Sequence, residues 1–191
     1  MKPIYIIEHL DKALYKWSFA EYKHLSKVVG KNNLWFTNIR IKDKKKLKPY
    51  GKVYNQSIKS IIINRKKLCI LDPASKNILK PIDKRKFKYF LFGGVLGDYP
   101  RRRRTKKALT NPLKTTTRNL GSRQMSTDNA VYTTYKILSG TSFKELKFID
   151  NLEIPKGKYE SIILPFRYNL VDKKPFISKQ VLEHLKKKRS F

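Results

Sequence analysis

The sequence predicts an α/β fold, a single domain with a mostly parallel sheet flanked by helices. Short apolar runs recur along the chain, PIYII at 3–7, LCIL at 68–71 and YFLF at 89–92. They are continuous rather than alternating, as strands buried on both faces are. Segments with helical spacing separate or follow them. Several of the strands also end in acidic or glycine residues, where an open parallel sheet binds its ligands.

Pro3–Ile7 is rich in β-formers and runs into Glu8-His9. Leu10, Leu14, Trp17, Leu25 and Val28 then form a helical stripe, interrupted by Glu21 and stopped by Gly30. Leu34–Thr37 reads as a second strand. Arg40 to Lys48 is densely basic and reads as an exposed loop, and Arg40–Lys52 is the one linker candidate. Ser57–Ile63 fits helix or strand. Leu68–Leu71 is a buried strand stopped by Asp72-Pro73, because the residue before proline leaves the helical region. Tyr89–Phe92 is stopped by Gly93-Gly94, and Thr115–Thr117 is a short strand before Gly121. Ser126 or Thr127 caps a helix with Ala130, Thr134, Ile137 and Leu138 on one face, ending at Gly140. Phe148–Asp150 and Ser161–Leu164 are strand-like. Ser178 opens a last helix with Val181, Leu182 and Leu185 inward, trailing into a basic tail at 186–191.

Forty-five Lys and Arg against fourteen Asp and Glu leave a net charge of +31 in 191 residues. Such a field attracts polyanions. Aromatics at 12% argue against global disorder. Cys69 is the sole cysteine, which excludes an internal disulfide and a thiolate zinc cage. It lies in an apolar run and reads as a buried structural thiol. His9, His24 and His184 lack ligand-like spacing, so no metal is expected. No apolar run reaches the ~18 residues of a membrane span. Met1–Leu10 carries Glu8 and His9 and is no secretory signal. An intracellular, cytoplasmic location is expected, with the nucleus an alternative.

Three strand ends mark a candidate ligand site: Asp72 after LCIL, Gly93-Gly94 after YFLF, and Leu120-Gly121 after the threonine run. Glycine there allows close backbone approach. The chain has no G-x-G-x-x-G, no P-loop and no G-x-S-x-G elbow. The alternative is that glycines end these strands for turn geometry alone.

The runs IIEHL (6–10), ILDP (70–73), YFLFGGVLGDYPRRRRTK (89–106), RNLGSRQMSTDNAVYTT (118–134), LKFIDNLEI (146–154) and LPFRYNL (164–170) stand in one order. Together they resemble the SPOUT-fold methyltransferases, in the branch first described as RNA methyltransferases. The eukaryotic members of that branch methylate an arginine of a small-subunit ribosomal protein. The resemblance spans nearly the whole chain and fades over a basic variable segment at about 38–66. It implies a trefoil knot in the C-terminal half and S-adenosylmethionine as cofactor. It implies cofactor contacts from Leu71, Asp72, Pro73, Phe92, Gly93, Gly94, Leu96, Gly97, Leu120, Gly121, Gln124, Met125 and Thr127. Monomer and homodimer both remain open.

Methyl transfer from a sulfonium is an in-line displacement in which positioning carries much of the catalysis. An arginine substrate also needs a carboxylate to orient the guanidinium and accept its proton. Glu8, Asp98 and Asp128 are the candidates. The bland alternatives are a lysine partner for Glu8 and a helix-dipole role for Asp128. Arg118, Arg123 and Arg167 are candidates for cofactor-carboxylate or phosphate contacts. Arg101, Arg102, Arg103 and Arg104, with Lys106 and Lys107, form an edge facing polyanions, unless they are a solvated face or a nuclear-import address. The first reading is methylation of an arginine in a ribosomal protein of the small subunit. The alternatives are methylation of rRNA or tRNA, and a non-catalytic basic ribosome-assembly factor.

Overall fold

The structure, a computed structural model, describes residues 2–96, 102–156 and 160–187. Six parallel strands form the main sheet: β1 (Ile4–His9), β2 (Leu34–Thr37), β3 (Lys52–Val53), β4 (Leu68–Leu71), β5 (Tyr89–Gly94) and β6 (Thr116–Arg118). Their order is β3-β2-β1-β5-β4-β6. The helices are α1 (Lys16–Val29), α2 (Ile41–Leu47), α3 (Asp83–Lys86), α4 (Asn111–Leu113), α5 (Thr127–Leu138) and α6 (Lys179–Lys187), with a wide π-type turn at Lys106–Thr110 leading into α4.

The continuous apolar runs are buried on both faces, as their composition requires. On one face Tyr5, Ile7, Phe90 and Phe92 pack with Tyr22 and Leu25 of α1 and with Val131 and Ile137 of α5. On the other, Ile6, Ile70 and Leu91 pack with Ile58 and Leu109. Each large apolar side chain buried here stabilises the fold by about 1.5–3 kcal/mol. Cys69 is fully buried in this sheet. Burial pushes its thiol up to about 12.

Several expectations need correction. The basic stretch at 40–48 is not a loop, because α2 spans most of it. Leu47 anchors that helix in the core, and buried Asp43 accepts from the Arg40 guanidinium at 2.7 and 3.0 Å. The first helix starts at Lys16, so Leu10 and Leu14 lie outside it. Glu21 does not interrupt its buried face but belongs to it. There Glu21 accepts from Trp17 Nε1 at 2.8 Å. Ser57–Ile63 is neither helix nor strand; Ile58 plugs the core and turns surround it.

The C-terminal strands form a second sheet. β7 (Phe148–Pro155), β8 (Ser161–Val171) and β9 (Lys174–Pro175) are antiparallel in the order β7-β8-β9. Leu152, Ile154, Leu164 and Tyr168 pack there with Val181 and Leu185 of α6 and Ala20 of α1.

Candidate functional site

The carboxyl ends of β4, β5 and β6 open into one cleft of about 880 Å³, counting the part exposed to solvent. Leu71, Asp72 and Pro73 leave β4. Phe92 and Gly93, at the end of β5, and Val95 just beyond it contribute next; Gly93-Gly94 does not stop the strand as expected, because both glycines stay paired with Glu8 and His9 of β1. Leu120, Gly121 and Arg123 to Met125 follow β6, and Thr127 and Ala130 of α5 close one side. The segment 102–106 forms the opposite wall. All three strand ends singled out in the sequence therefore meet here.

Hydrogen bonds fix each loop. The Asp72 carboxylate accepts from its own turn at Ala74 N (2.8 Å) and from Thr110 Oγ1 (2.6 Å). The Asp72 N–H donates to Arg118 O, tying β4 to the end of β6. Gly121 has φ +87°, a conformation that favours glycine. A Cβ there would also stand 2.8 Å from Phe143. Arg167 N donates to Gln124 O at 2.7 Å, stringing the 124–125 segment along β8.

Asp11, which no motif in the sequence marks, joins two walls of the cleft. One of its oxygens pairs with Arg104 at 2.8 Å, and the other accepts from Leu96 N at 2.7 Å. Arg104 also donates to Leu10 O at 2.7 Å. Val95, between two expected contacts, and Lys106 of the expected basic edge also line the cleft, and Thr105 and Ala130 are lining residues that the sequence does not mark for the site. They sit beside expected positions, but their types carry no signal of their own.

The glycines of β5 divide by face. Gly93 lines the cleft, where a Cβ would lie 2.6 Å from Thr105 Oγ1. Gly94 does not line it. Its missing Cβ leaves room for the Tyr22 hydroxyl, which that atom would overlap, and for Ile7, which would lie 2.7 Å from it. Adjacent strand residues point to opposite faces, so the Gly-Gly pair serves one ligand-facing and one core-facing need. Leu96 is outside the lining, and Gly97, Asp98 and Arg101 lie outside the described residues.

Two of the three carboxylate candidates are committed elsewhere. Glu8 is 1% exposed and accepts from Thr37 Oγ1, Ser57 Oγ and Ile58 N, fixing the 57–58 turn against β1. Asp128, also 1% exposed, accepts from Ser126 Oγ at 2.7 Å and Asn129 N at 2.8 Å. Its other oxygen is 3.3 Å from His24 Nδ1. Neither lines the cleft. Beside Asp128, Glu21 has its carboxyl pushed well above the ordinary range, first by burial and then by the Asp128 charge.

The arginines divide similarly. Arg102, Arg103, Arg104 and Arg123 line the cleft. Arg118 does not: its guanidinium binds both oxygens of buried Asp83 at 3.0 Å and lies over Phe87. Arg167 grips Asp150 through two bonds of 2.8 Å and stacks on Phe148. It thereby holds the Asp150 carboxyl below its ordinary value.

An apolar floor of Leu71, Phe92, Leu120 and Met125 under a guanidinium-rich rim fits a ligand with a flat aromatic part and a carboxylate. A sequence model described as "Protein arginine N-methyltransferase SFM1-like" matches residues 4–190. The chain belongs to this SFM1-like family. It is 35% identical over 201 residues to protein arginine N-methyltransferase SFM1 of Saccharomyces cerevisiae, covering 96% of this chain and 94% of that protein. Among solved structures it resembles the yeast arginine methyltransferase SFM1 complexed with SAM, with TM-score 0.90, 35% identity, and 98% and 91% coverage. It equally resembles that enzyme complexed with SAH, with TM-score 0.89, 33% identity, and 95% and 94% coverage. The dual-specific Trm10 from Thermococcus kodakaraensis shares the SPOUT-type fold at TM-score 0.60 and 15% identity, covering 75% of this chain and 96% of that one.

In this family member the cleft is lined by residues from three strand ends and from the 102–106 segment. Among the described residues no His, Cys, Asp or Glu cluster is placed to hold a metal ion. No described helix is long and apolar enough to cross a membrane.

Proposed function

We propose that the chain transfers the methyl group of S-adenosylmethionine to an arginine of a small-subunit ribosomal protein, acting in the cytoplasm. The observation that carries this reading is the convergence of Asp72, Gly93 and Gly121 on one cleft in a chain of the SFM1-like arginine methyltransferase family. When bound, the cofactor supplies an electrophilic methyl on a sulfonium. Leu71, Phe92, Leu120 and Met125 would hold its adenine. The cationic rim, with Arg102, Arg103, Lys106 and Arg123 its exposed members, would hold its carboxylate. The C-terminal half would carry the family's trefoil crossing.

A guanidinium stays protonated at neutral pH and needs a carboxylate to align it and take its proton. Asp72 is the one carboxylate lining the cleft among the described residues, and both its oxygens are occupied. Glu8 and Asp128 are buried in structural networks. Asp98, two residues beyond Leu96 in the sequence, is the remaining candidate and is assigned the role of orienting base.

A second reading, transfer to RNA, is supported by the +31 charge and by Arg102, Arg103, Lys106 and Arg123 at the mouth. Incubating the protein with methyl-labelled cofactor and unmodified small ribosomal subunits separates the two. Label in the protein fraction, recovered as methylarginine on hydrolysis and lost in Asp98→Asn, is the expected result. Label in the rRNA would overturn it.

A further inference from the structure

A second surface, at the other end of the sheet, carries three aromatic rings among lysines. Trp35 on β2 lies 5.3 Å from Tyr54 and 5.7 Å from Tyr89, centroid to centroid. Lys52 Nζ stands 5.2 Å from the Trp35 ring and 5.1 Å from the Tyr54 ring, and Lys88 Nζ is 5.4 Å from Tyr89. Trp35 lines a concavity of about 660 Å³, open to solvent, with Lys31, Lys48 and Lys52 around it. These three lysines are exposed, and none is in an ion pair with a carboxylate among the described residues.

The patch is separate from the cleft. Trp35 is in register with Ile6, and Tyr89 with Ile4, at the amino end of the strands. From Tyr89 to Gly93 the chain climbs four residues, about 13 Å at ~3.3 Å each. Neither the rings nor these lysines line the cleft. Trp35 and Tyr89 pack one side against the core of Ile6, Leu68 and Leu91 and stay half-buried, but the core does not call for the lysines that ring them.

We infer that Trp35, Tyr54 and Tyr89, with Lys31, Lys48, Lys52 and Lys88, form a docking surface for single-stranded RNA. Every base has a flat face that stacks on an aromatic ring, and every linkage has a phosphate that a lysine can neutralise. An acidic protein would use the lysines but leave the rings without a matching partner. A rigid duplex would meet the lysines with its bases already stacked inside. The cation–π contact of Lys52 at this exposed site is weak, so the ammonium is free to swing to a phosphate as a base takes its place on Trp35. The inference stands apart from methyl transfer, and it would give a ribosome-directed enzyme a grip away from its reacting end.

The test labels the full chain with 5-fluorotryptophan. The chain has two tryptophans, Trp17 and Trp35, so two fluorine resonances are expected. Trp17 sits on α1, bonded to Glu21, and serves as the internal control. Oligouridylate is titrated in, and inorganic polyphosphate, a duplex RNA of equal length and poly-glutamate are run beside it. The expected result is a shift of the Trp35 resonance with oligouridylate alone. Trp35→Leu should weaken oligouridylate binding about tenfold or more, the loss of one stacked base. Lys52→Glu, on an exposed side chain that leaves the core intact, should weaken it and flatten its salt dependence. A Trp35 resonance unmoved at saturating oligouridylate would overturn the inference. So would an equal shift with poly-glutamate, which would make the surface a protein-binding face.

Discussion

Replacing Gly94 with alanine puts a methyl group where the structure has none to spare. The added carbon would overlap the Tyr22 hydroxyl and stand 2.7 Å from Ile7 Cγ2 and 3.3 Å from Glu8 O. Tyr22 and Ile7 are fully buried between β1 and α1, so relief requires moving the hydroxyl. Overpacking of this kind costs about 1–3 kcal/mol. Moving the hydroxyl also breaks its 2.9 Å bond to His9 Nδ1, worth about 1 kcal/mol. The expected loss is about 2–4 kcal/mol, and for a chain of this length roughly 4–16 °C in Tm. Tyr22→Phe removes the atom that is struck. In urea unfolding the double variant Tyr22→Phe/Gly94→Ala should therefore lose at least about 1 kcal/mol less than the two single losses added together. Because Gly94 faces α1, cofactor affinity measured by calorimetry should stay within about twofold. Additive losses, or a folded Gly94→Ala protein that no longer binds cofactor, would refute the assignment of Gly94 to the core.

Gly93→Ala is the counterpart: its Cβ presses on Thr105 Oγ1 at the cleft wall, so cofactor affinity should fall at least about threefold with little change in Tm. Arg118→Leu leaves buried Asp83 without its bidentate partner and should cost about 2–3 kcal/mol in urea unfolding while cofactor binding is retained. Glu21 has a raised carboxyl, so its stabilising contribution is present below the ordinary glutamate value of ~4.3 and is lost as pH rises through the folded value. Glu21→Gln keeps an acceptor for Trp17 Nε1 and should be at least as stable as the parent at pH ~8, with a flatter stability profile from pH ~5 upward; matching profiles would count against the assignment. Cys69, with its thiol pushed up to about 12, should resist thiol reagents at pH ~8 until the protein unfolds.

The main sheet was legible because its strands are buried on both faces, and continuous apolar runs such as LCIL and YFLF follow from that. The antiparallel β7–β8 pair gave only fragments, because its second face is largely solvated and polar residues such as Asp150 and Glu153 break the runs. The α2 segment was hidden by charge: six basic residues in nine look like a loop, and only the buried side chains of Asp43 and Leu47 show the helix. The cleft was legible at its three strand ends, since parallel sheets bind ligands there whatever the sequence between them. The roles of individual charges were not. Glu8, Asp128 and Arg118 have the residue types a methyl-transfer site needs, but each is turned into a buried network by a partner distant in the chain. Asp11 had no motif around it and matters through Arg104 and Leu96, more than eighty residues away.

The central claim is that the cleft at the carboxyl ends of β4, β5 and β6 is where the cofactor binds. The chain has two methionines, Met1 and Met125, and Met125 lines that cleft. Carbon-13 labelling of the methionine methyl groups therefore gives one reporter inside the site and one at the N-terminus. On titration with S-adenosylhomocysteine the Met125 resonance should shift and saturate together with the calorimetric binding curve. A saturating calorimetric curve with Met125 unmoved would place the cofactor elsewhere and contradict the account.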